Sequence, residues 1–185
     1  MSAALLLMDL QAGVLDRYPE ETRAALLERV ATASAAARAE GIPVIYVRLA
    51  FRDGMPEIST RNLLFSRVAQ MGGFEEGDDG TRVHAAVQPE PGDVVVLKKR
   101  ASAFSGSDLG VVLRSLGVTH LVLTGLATSG VVLSTLREAA DLDYELTVLA
   151  DACADHDDDV HRVLCEKVFP LQARVTTVAE WTASF

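Results

Sequence analysis

The chain alternates short apolar runs with longer segments of helical periodicity, and this alternation restricts the fold more than any other feature. Strands that are apolar along their whole length are typical of parallel sheets, because crossover helices cover both faces. The sequence therefore predicts an α/β fold of three layers, α/β/α, with a doubly wound, mostly parallel six-stranded sheet of Rossmann-like type. The predicted strands are Ala3–Met8, Pro43–Val47, Asp93–Leu97, His120–Thr124, Glu145–Leu149 and Ala173–Val178.

Helices are predicted between most of these strands. The clearest is Pro19–Glu40, where proline suits the first turn and Gly41 follows the last one. Residues 49–91 form the irregular part of the chain, and long connections of this kind are often binding loops. The other predicted helices are Asn62–Gln70, one that Ser107 and Asp108 cap and that runs to Leu116, one after residue 128 capped by Thr128 or Ser129, and one from Asp157 to a point before Pro170.

Length and charge narrow the class of protein. At 185 residues, the chain is expected to form one domain over residues 1–185. It has no apolar run long enough to span a bilayer and no signal-peptide pattern, so we expect a cytoplasmic protein without a membrane partner. A net charge of −9 argues against nucleic acid as a partner. Cys153 and Cys165 are expected to be reduced and packed rather than joined in a disulfide.

Three chemical features follow three different predicted strands. Asp9 follows the first strand and Lys98 the third, and each interrupts an otherwise apolar run. The third feature is a glycine-bearing turn after the fourth strand, which leads into a helix and carries Val131. Because the carboxyl ends of parallel strands share one edge of a sheet, these features are expected to lie together where such folds bind ligands. Taken singly, Asp9 could cap a turn and Lys98 could be a solvated strand end.

The order and spacing of these residues resemble the isochorismatase-like hydrolase superfamily, which includes cysteine hydrolases. The similarity extends over almost the whole chain. It is carried by Leu7-Met8-Asp9-Leu10-Gln11, by Lys98 with Phe104 six residues later, by Gly125-Leu126-Ala127-Thr128 leading to Ser134-Thr135, and by Asp151-Ala152. In the cysteine hydrolases of this family, an aspartate and a lysine activate a cysteine that attacks a carbonyl. The resemblance places the aspartate at Asp9, the lysine at Lys98 and the cysteine's position at Val131.

Valine cannot act as a nucleophile, so the resemblance implies a variant without the thiolate step. Isochorismatases of the superfamily also lack this cysteine and cleave a vinyl ether, a reaction for which a protonated Asp9 could serve as acid. Burial raises the pKa of such an acid and a nearby ammonium lowers it, and the sequence leaves the balance open. The family also implies an oxyanion hole from the backbone amides of Ala127 and Val131, with a cis peptide between Leu126 and Ala127.

The leading interpretation is therefore a cysteine-independent hydrolase of a small anionic metabolite. Two alternatives stay open: a lapsed relative that binds a small molecule or acts as an assembly subunit, and an amidohydrolase with a relocated nucleophile. The resemblance implies no cofactor and no metal, and it implies a homo-oligomer, either a dimer or a tetramer.

Several other polar residues have simpler explanations. Ser129 and Ser134 are expected to cap or pack a helix, Cys153 to be an inert thiol, and His156 and His161 to lie on different helix faces without binding metal. Trp181 and Phe185 are expected to anchor the end of the chain. Three arginines in or near the irregular segment are candidate carboxylate ligands by chemistry alone, Arg48, Arg52 and Arg61, although surface positions suit each of them.

Overall fold

A computed structural model describes residues 2–185 and shows the predicted parallel sheet. Its six strands lie in the order β3-β2-β1-β4-β5-β6, and every neighbouring pair is parallel. The chain builds outward from β1 in one direction and then, from β4, in the other, which creates a crevice between β1 and β4 at their carboxyl ends. The strands are β1 (Ala3–Met8), β2 (Val44–Leu49), β3 (Val94–Lys98), β4 (His120–Leu126), β5 (Glu145–Ala154) and β6 (Arg174–Thr176).

Alternate side chains of the sheet enter two separate cores. Leu6 and Met8 of β1 pack in a cluster with residues of α4 and α5, whereas Leu5 and Leu7 pack with residues of α2 and α7. This alternation follows from the two-residue period of a strand and confirms three layers. The helices are α1 (Ala12–Leu15), α2 (Glu20–Ala39), α3 (Leu63–Met71), α4 (Leu109–Ser115), α5 (Leu133–Asp141), α6 (Asp158–Val163) and α7 (Val178–Thr182). None of the helices in residues 2–185 is long and apolar enough to cross a membrane.

The irregular segment is more ordered than its composition suggests. It contains α3 and two short 3₁₀ turns, Asp79–Thr81 and Ala85–Val87. Phe51, Phe65 and Phe74 form a small apolar cluster of their own with Leu49 and Val68. Through this cluster, the segment packs together beside the carboxyl end of the sheet.

Two sequence predictions near the chain's second half are wrong in detail. The last strand is only Arg174–Thr176, because the Thr177 hydroxyl and the Glu180 carboxylate form a capping box that starts α7 at Val178. Neither Thr128 nor Ser129 caps the helix after the turn with its side chain. Instead, the Ser129 amide donates a hydrogen bond to Asp155 Oδ2 at 2.7 Å.

Gly125 sets how closely the two central strands approach. Its φ is +133°, and a Cβ built there would lie 2.1 Å from the carbonyl oxygen of Met8. A side chain at this position would therefore force β4 away from β1 at the crevice.

We expect Gly125→Ala to destabilise the fold by about 3 kcal/mol or more, because backbone strain and a backbone clash add together. Gly117→Ala is the matched control, since Gly117 also has a positive φ of +63° but has no atom within 4 Å of a built Cβ. Its expected cost is about 1 kcal/mol, from backbone strain alone. Urea unfolding of both variants measures the difference, and equal losses would contradict the role given to the close approach.

Candidate active site

Residues from three strand ends meet in one small pocket at the carboxyl edge of the sheet. Asp9 follows β1, Lys98 ends β3, and Leu126 ends β4. The pocket has a volume of about 140 Å³. This equals the share of liquid volume taken by about five waters, so it accommodates a small ligand or one end of a larger one. It is lined by Asp9, Val14, Arg17, Leu49, Leu64, Phe65, Val68, Phe74, Lys98, Ala101, Leu126, Ala127, Gly130 and Val131.

A buried ion pair lies at this pocket. Lys98 Nζ is 2.9 Å from Asp9 Oδ2, and the two side chains are only 2% and 9% exposed. Lys98 Nζ also donates a hydrogen bond to the carbonyl oxygen of Arg100 at 2.9 Å. Asp9 Oδ1 is buried and has no hydrogen-bond partner within residues 2–185. One carboxylate oxygen is thus held by the lysine, while the other keeps its hydrogen-bonding capacity.

Backbone geometry fixes the direction in which Asp9 leaves its strand. Its φ of +57° is in the left-handed region, which aspartate tolerates better than most residues. The Asp9 amide donates to the carbonyl oxygen of Val47, which ties this turn to β2. Two positions further on, Gln11 is fully buried, accepts from the Leu49 amide and donates to the carbonyl oxygens of Leu49 and Thr81.

Burial decides the protonation balance that the sequence left open. Removal of Asp9 from water raises the pKa of its carboxyl group, and the charge and hydrogen bond of Lys98 oppose this rise without cancelling it. Asp9 therefore keeps a proton at a higher pH than an ordinary aspartate. A carboxyl group of this kind can act as a general acid.

The turn after β4 forms the opposite wall of the pocket. The predicted cis peptide is present between Leu126 and Ala127. Residues Thr128–Val132 then form one π-helical turn that leads into α5. Val131 is 3% exposed, and its place in the pocket wall adjoins the Asp9–Lys98 pair.

Four hydroxyl and thiol side chains that follow β4 in the sequence lie outside the pocket. Ser129, Ser134, Cys153 and Cys165 are absent from the pocket lining within residues 2–185. Both cysteines are free and buried, and Cys153 lies within β5 opposite Gly125. Burial raises the pKa of both thiols, in Cys165 to about 11. Neither thiol has the low pKa of a reactive cysteine.

The two histidines have structural contacts. His156 lies before α6 and its ring stacks on Tyr18 at 4.3 Å. His161 lies on α6, where its Nδ1 is 2.8 Å from the Thr128 hydroxyl. They therefore do not share a helix face, and His161 ties α6 to the turn after β4.

The three arginines proposed as ligands from their chemistry are outside the pocket. Arg48 donates to the carbonyl and hydroxyl oxygens of Thr81, Arg52 pairs with Glu57, and Arg61 is exposed. Arg17 lines the pocket instead, and the sequence analysis missed it. Its place eight residues after Asp9 was the only available signal. Trp181 is buried against the α2 side of the sheet with the Phe185 ring 4.8 Å away, so it anchors the end of the chain as predicted.

Comparison with known proteins identifies relatives for this fold and pocket. A family model described as the isochorismatase domain matches residues 3–180. The ureidoacrylate amidohydrolase RutB of Pantoea ananatis is 36% identical over 169 residues, which cover 80% of this chain and 68% of the relative.

Solved structures agree with this match. A cysteine hydrolase from Pseudomonas syringae pv. phaseolicola superposes with a TM-score of 0.90 at 26% identity, covering 98% of this chain and 91% of the other. An N-carbamoylsarcosine amidase from Thermoplasma acidophilum gives a TM-score of 0.81 at 27% identity, with 96% and 97% covered.

We expect Lys98→Met to destabilise the protein by about 3 to 5 kcal/mol at pH 8, because it leaves the Asp9 carboxylate buried without its counter-charge. The loss should be smaller at pH 5. Without Lys98, the pKa of Asp9 rises further, so the folded state holds a proton that the unfolded chain releases, and stability falls as pH rises.

Urea unfolding at both pH values measures this effect. The double variant Asp9→Asn with Lys98→Met removes the buried charge and should recover most of the loss at pH 8. An equal loss for Lys98→Met at the two pH values would show that the ammonium does not compensate a buried carboxylate.

Proposed function

We propose, from the premise that the chain belongs to the isochorismatase family, that it hydrolyses a small anionic metabolite without a cysteine nucleophile. The chemistry we propose is acid–base hydrolysis of a vinyl ether, with Asp9 as the acid and Lys98 as its partner. One observation carries the proposal: the pocket holds an acid of raised pKa together with Val131. By resemblance, position 131 is where cysteine hydrolases of the family have a thiol.

The pocket lining supports the absence of a covalent step. An alkyl side chain at position 131 cannot attack a carbonyl carbon. The lining residues within 2–185 include no serine, threonine or cysteine. A reaction in which water supplies the new bond is consistent with this set of side chains.

The proposed reaction starts with proton transfer from Asp9 to the terminal carbon of the enol ether. The double bond supplies the electron pair, and an oxocarbenium ion forms at the ether carbon. Water adds to that carbon and gives its proton to the Asp9 carboxylate, which restores the acid. As the ether bond of the resulting hemiketal breaks, the hemiketal hydroxyl becomes the carbonyl and its proton passes to the departing oxygen. An alcohol and a keto acid are released, with no net change in protons on the enzyme.

Lys98 has two parts in this proposal. Its ammonium holds Asp9 Oδ2 at 2.9 Å, which orients the acid and leaves Oδ1 to carry the transferred proton. It also stabilises the carboxylate that exists between proton donation and proton return. We further propose that the backbone amides of Ala127 and Val131 polarise a substrate oxygen, a role that depends on no side chain.

A second candidate function is binding without turnover. Val131 favours it as well, because a relative that has lost its thiol could retain the pocket for a ligand. The amidohydrolase alternative has less support. The relatives named as amidohydrolase and amidase act on carbon–nitrogen bonds, but this pocket offers no hydroxyl or thiol nucleophile within residues 2–185.

We expect a panel of small carboxyvinyl ethers to release keto acid, and Asp9→Asn to lower kcat/KM by about 100-fold or more, because it removes the general acid. Keto acid release measured with a coupled dehydrogenase provides the assay. Asp16→Asn is the matched control, since Asp16 is an exposed carboxylate paired with Arg23 outside the pocket.

Full activity of Asp9→Asn would overturn the proposal. Ligand-induced stabilisation without any turnover would favour the binding function instead. A covalent acyl adduct in the intact mass after incubation with ureido or amide substrates would favour a relocated nucleophile.

The pH dependence gives a separate expectation. Because the proton on Asp9 is required, kcat/KM should fall with rising pH, tenfold per pH unit above the pKa of the free enzyme's acid. Lys98→Gln removes the interaction that lowers this pKa, so the descending limb should move to higher pH. A limb at the same pH in both enzymes would show that Asp9 is not the titrating group.

A further inference from the structure

Arg17 lines the pocket, and neither the ion pair nor the proposed proton transfer uses it. It follows α1 and lies in the same pocket as Asp9 and Lys98. The charged side chains in that lining are these three alone. The chain as a whole carries a net charge of −9. An unneutralised positive charge in the pocket lining contrasts with this overall charge and indicates a specific role.

The local structure holds Arg17 in place. Its amide donates to the Val14 carbonyl oxygen at 3.2 Å, and the next residue, Tyr18, is buried with its ring stacked on His156. The Arg17 guanidinium carbon lies 5.5 Å from the centre of the Phe74 ring, within the range of a cation–π contact. Stacking orders the guanidinium plane while its edge donors stay available.

Some arginines of the chain are held by carboxylates, and Arg17 is not one of them. Arg23, Arg38 and Arg52 each pair with a carboxylate. In residues 2–185, by contrast, no carboxylate oxygen lies within ion-pair distance of Arg17. The guanidinium at the pocket is therefore free to bind an external anion.

The charges of the pocket favour one class of anion. Lys98 is held by Asp9 and by the Arg100 carbonyl oxygen, so Arg17 is the one cationic side chain of this lining that no carboxylate contacts in residues 2–185. A carboxylate matches this single charge and the planar fork of a guanidinium, whereas a phosphate dianion calls for more cationic donors. The remaining lining is mostly apolar, which suits the carbon skeleton of a small acid.

We propose that Arg17, ordered on Phe74, binds the carboxylate of the substrate and makes the pocket selective for a small carboxylic acid over its neutral analogues. This inference rests on the proposed function for the reacting part of the substrate. Binding of the carboxylate to Arg17, however, can be measured without turnover.

The test uses a pair of saturated ethers that cannot be hydrolysed by this route, 2-ethoxypropanoate and 2-ethoxypropanamide. Binding is measured by calorimetric or NMR titration to the full-length protein. The wild-type protein should bind the acid about 10- to 100-fold more tightly than the amide, the range expected for hydrogen bonds to a charged group. Arg17→Gln should remove this preference, because it weakens binding of the acid and has little effect on binding of the amide. Arg17→Lys should retain part of it.

The matched control is Arg67→Gln, which removes the same charge from an exposed arginine on α3 that does not line the pocket. It should leave the preference unchanged. Equal binding of the acid by the wild-type protein and Arg17→Gln would overturn the inference, and so would equal losses in both variants or no preference in the wild-type protein. Inorganic phosphate that displaces the acid more strongly than acetate would overturn the choice of carboxylate.

Turnover assays separate this inference from the proposed function. Arg17→Gln could lose binding of 2-ethoxypropanoate while neither the wild-type protein nor the variant hydrolyses a vinyl ether. This result would support Arg17 as the carboxylate ligand and reject the proposed reaction. Hydrolysis that Arg17→Gln carries out with unchanged kcat/KM would support the reaction and reject Arg17 as the carboxylate ligand.

Discussion

The buried ion pair between Asp9 and Lys98 is the interaction on which the site depends most. The two residues come from strands that are not neighbours, since β2 lies between β1 and β3. Their contact at 2.9 Å therefore spans the end of β2 and closes the floor of the pocket. Burying one of these charges without the other costs several kcal/mol, so each residue makes the other necessary. The sheet positions Asp9 and Lys98, and their pairing in turn constrains the carboxyl ends of β1, β2 and β3.

The turn after β4 lies at the same edge of the sheet and is fixed there by residues of other elements. Gly125 allows β4 to approach Met8 of β1 with no room for a side chain, and Ala127 and Val131 beyond it line the same pocket as the ion pair. Two tertiary contacts hold this turn. The Ser129 amide donates a hydrogen bond to Asp155, and the His161 ring is hydrogen-bonded to the Thr128 hydroxyl. None of these contacts involves the side chain at position 131. On the proposed function, an alkyl group at this position omits the thiolate step without disturbing the contacts that support the turn.

The sheet and the acid–lysine pair could be predicted from the sequence because each depends on a local pattern. Asp9 and Lys98 interrupt apolar strands, and parallel strands bring such interruptions to one edge. The direction of the pKa shift of Asp9 could not be predicted, because it depends on how completely residues distant in sequence exclude water. Arg17 was missed for a similar reason. It lies in an irregular turn, and Phe74, the ring that orders it, comes from the middle of the irregular segment 49–91. The shortened β6 was predictable in principle from the Thr177 and Glu180 capping pattern.

On the proposed function, the binding of the proton and the binding of the substrate are coupled in this pocket. An anionic substrate held by Arg17 adds a negative charge near the Asp9 carboxyl, and like charges disfavour ionisation of an acid. Binding of the substrate therefore raises the pKa of Asp9 further, and by reciprocity protonation of Asp9 tightens binding of the substrate. Lys98 acts in the opposite direction and keeps the proton transferable. On the proposed function, the anion that Arg17 selects thus also promotes the protonation state that the reaction requires, which gives a charged substrate an advantage in catalysis as well as in affinity.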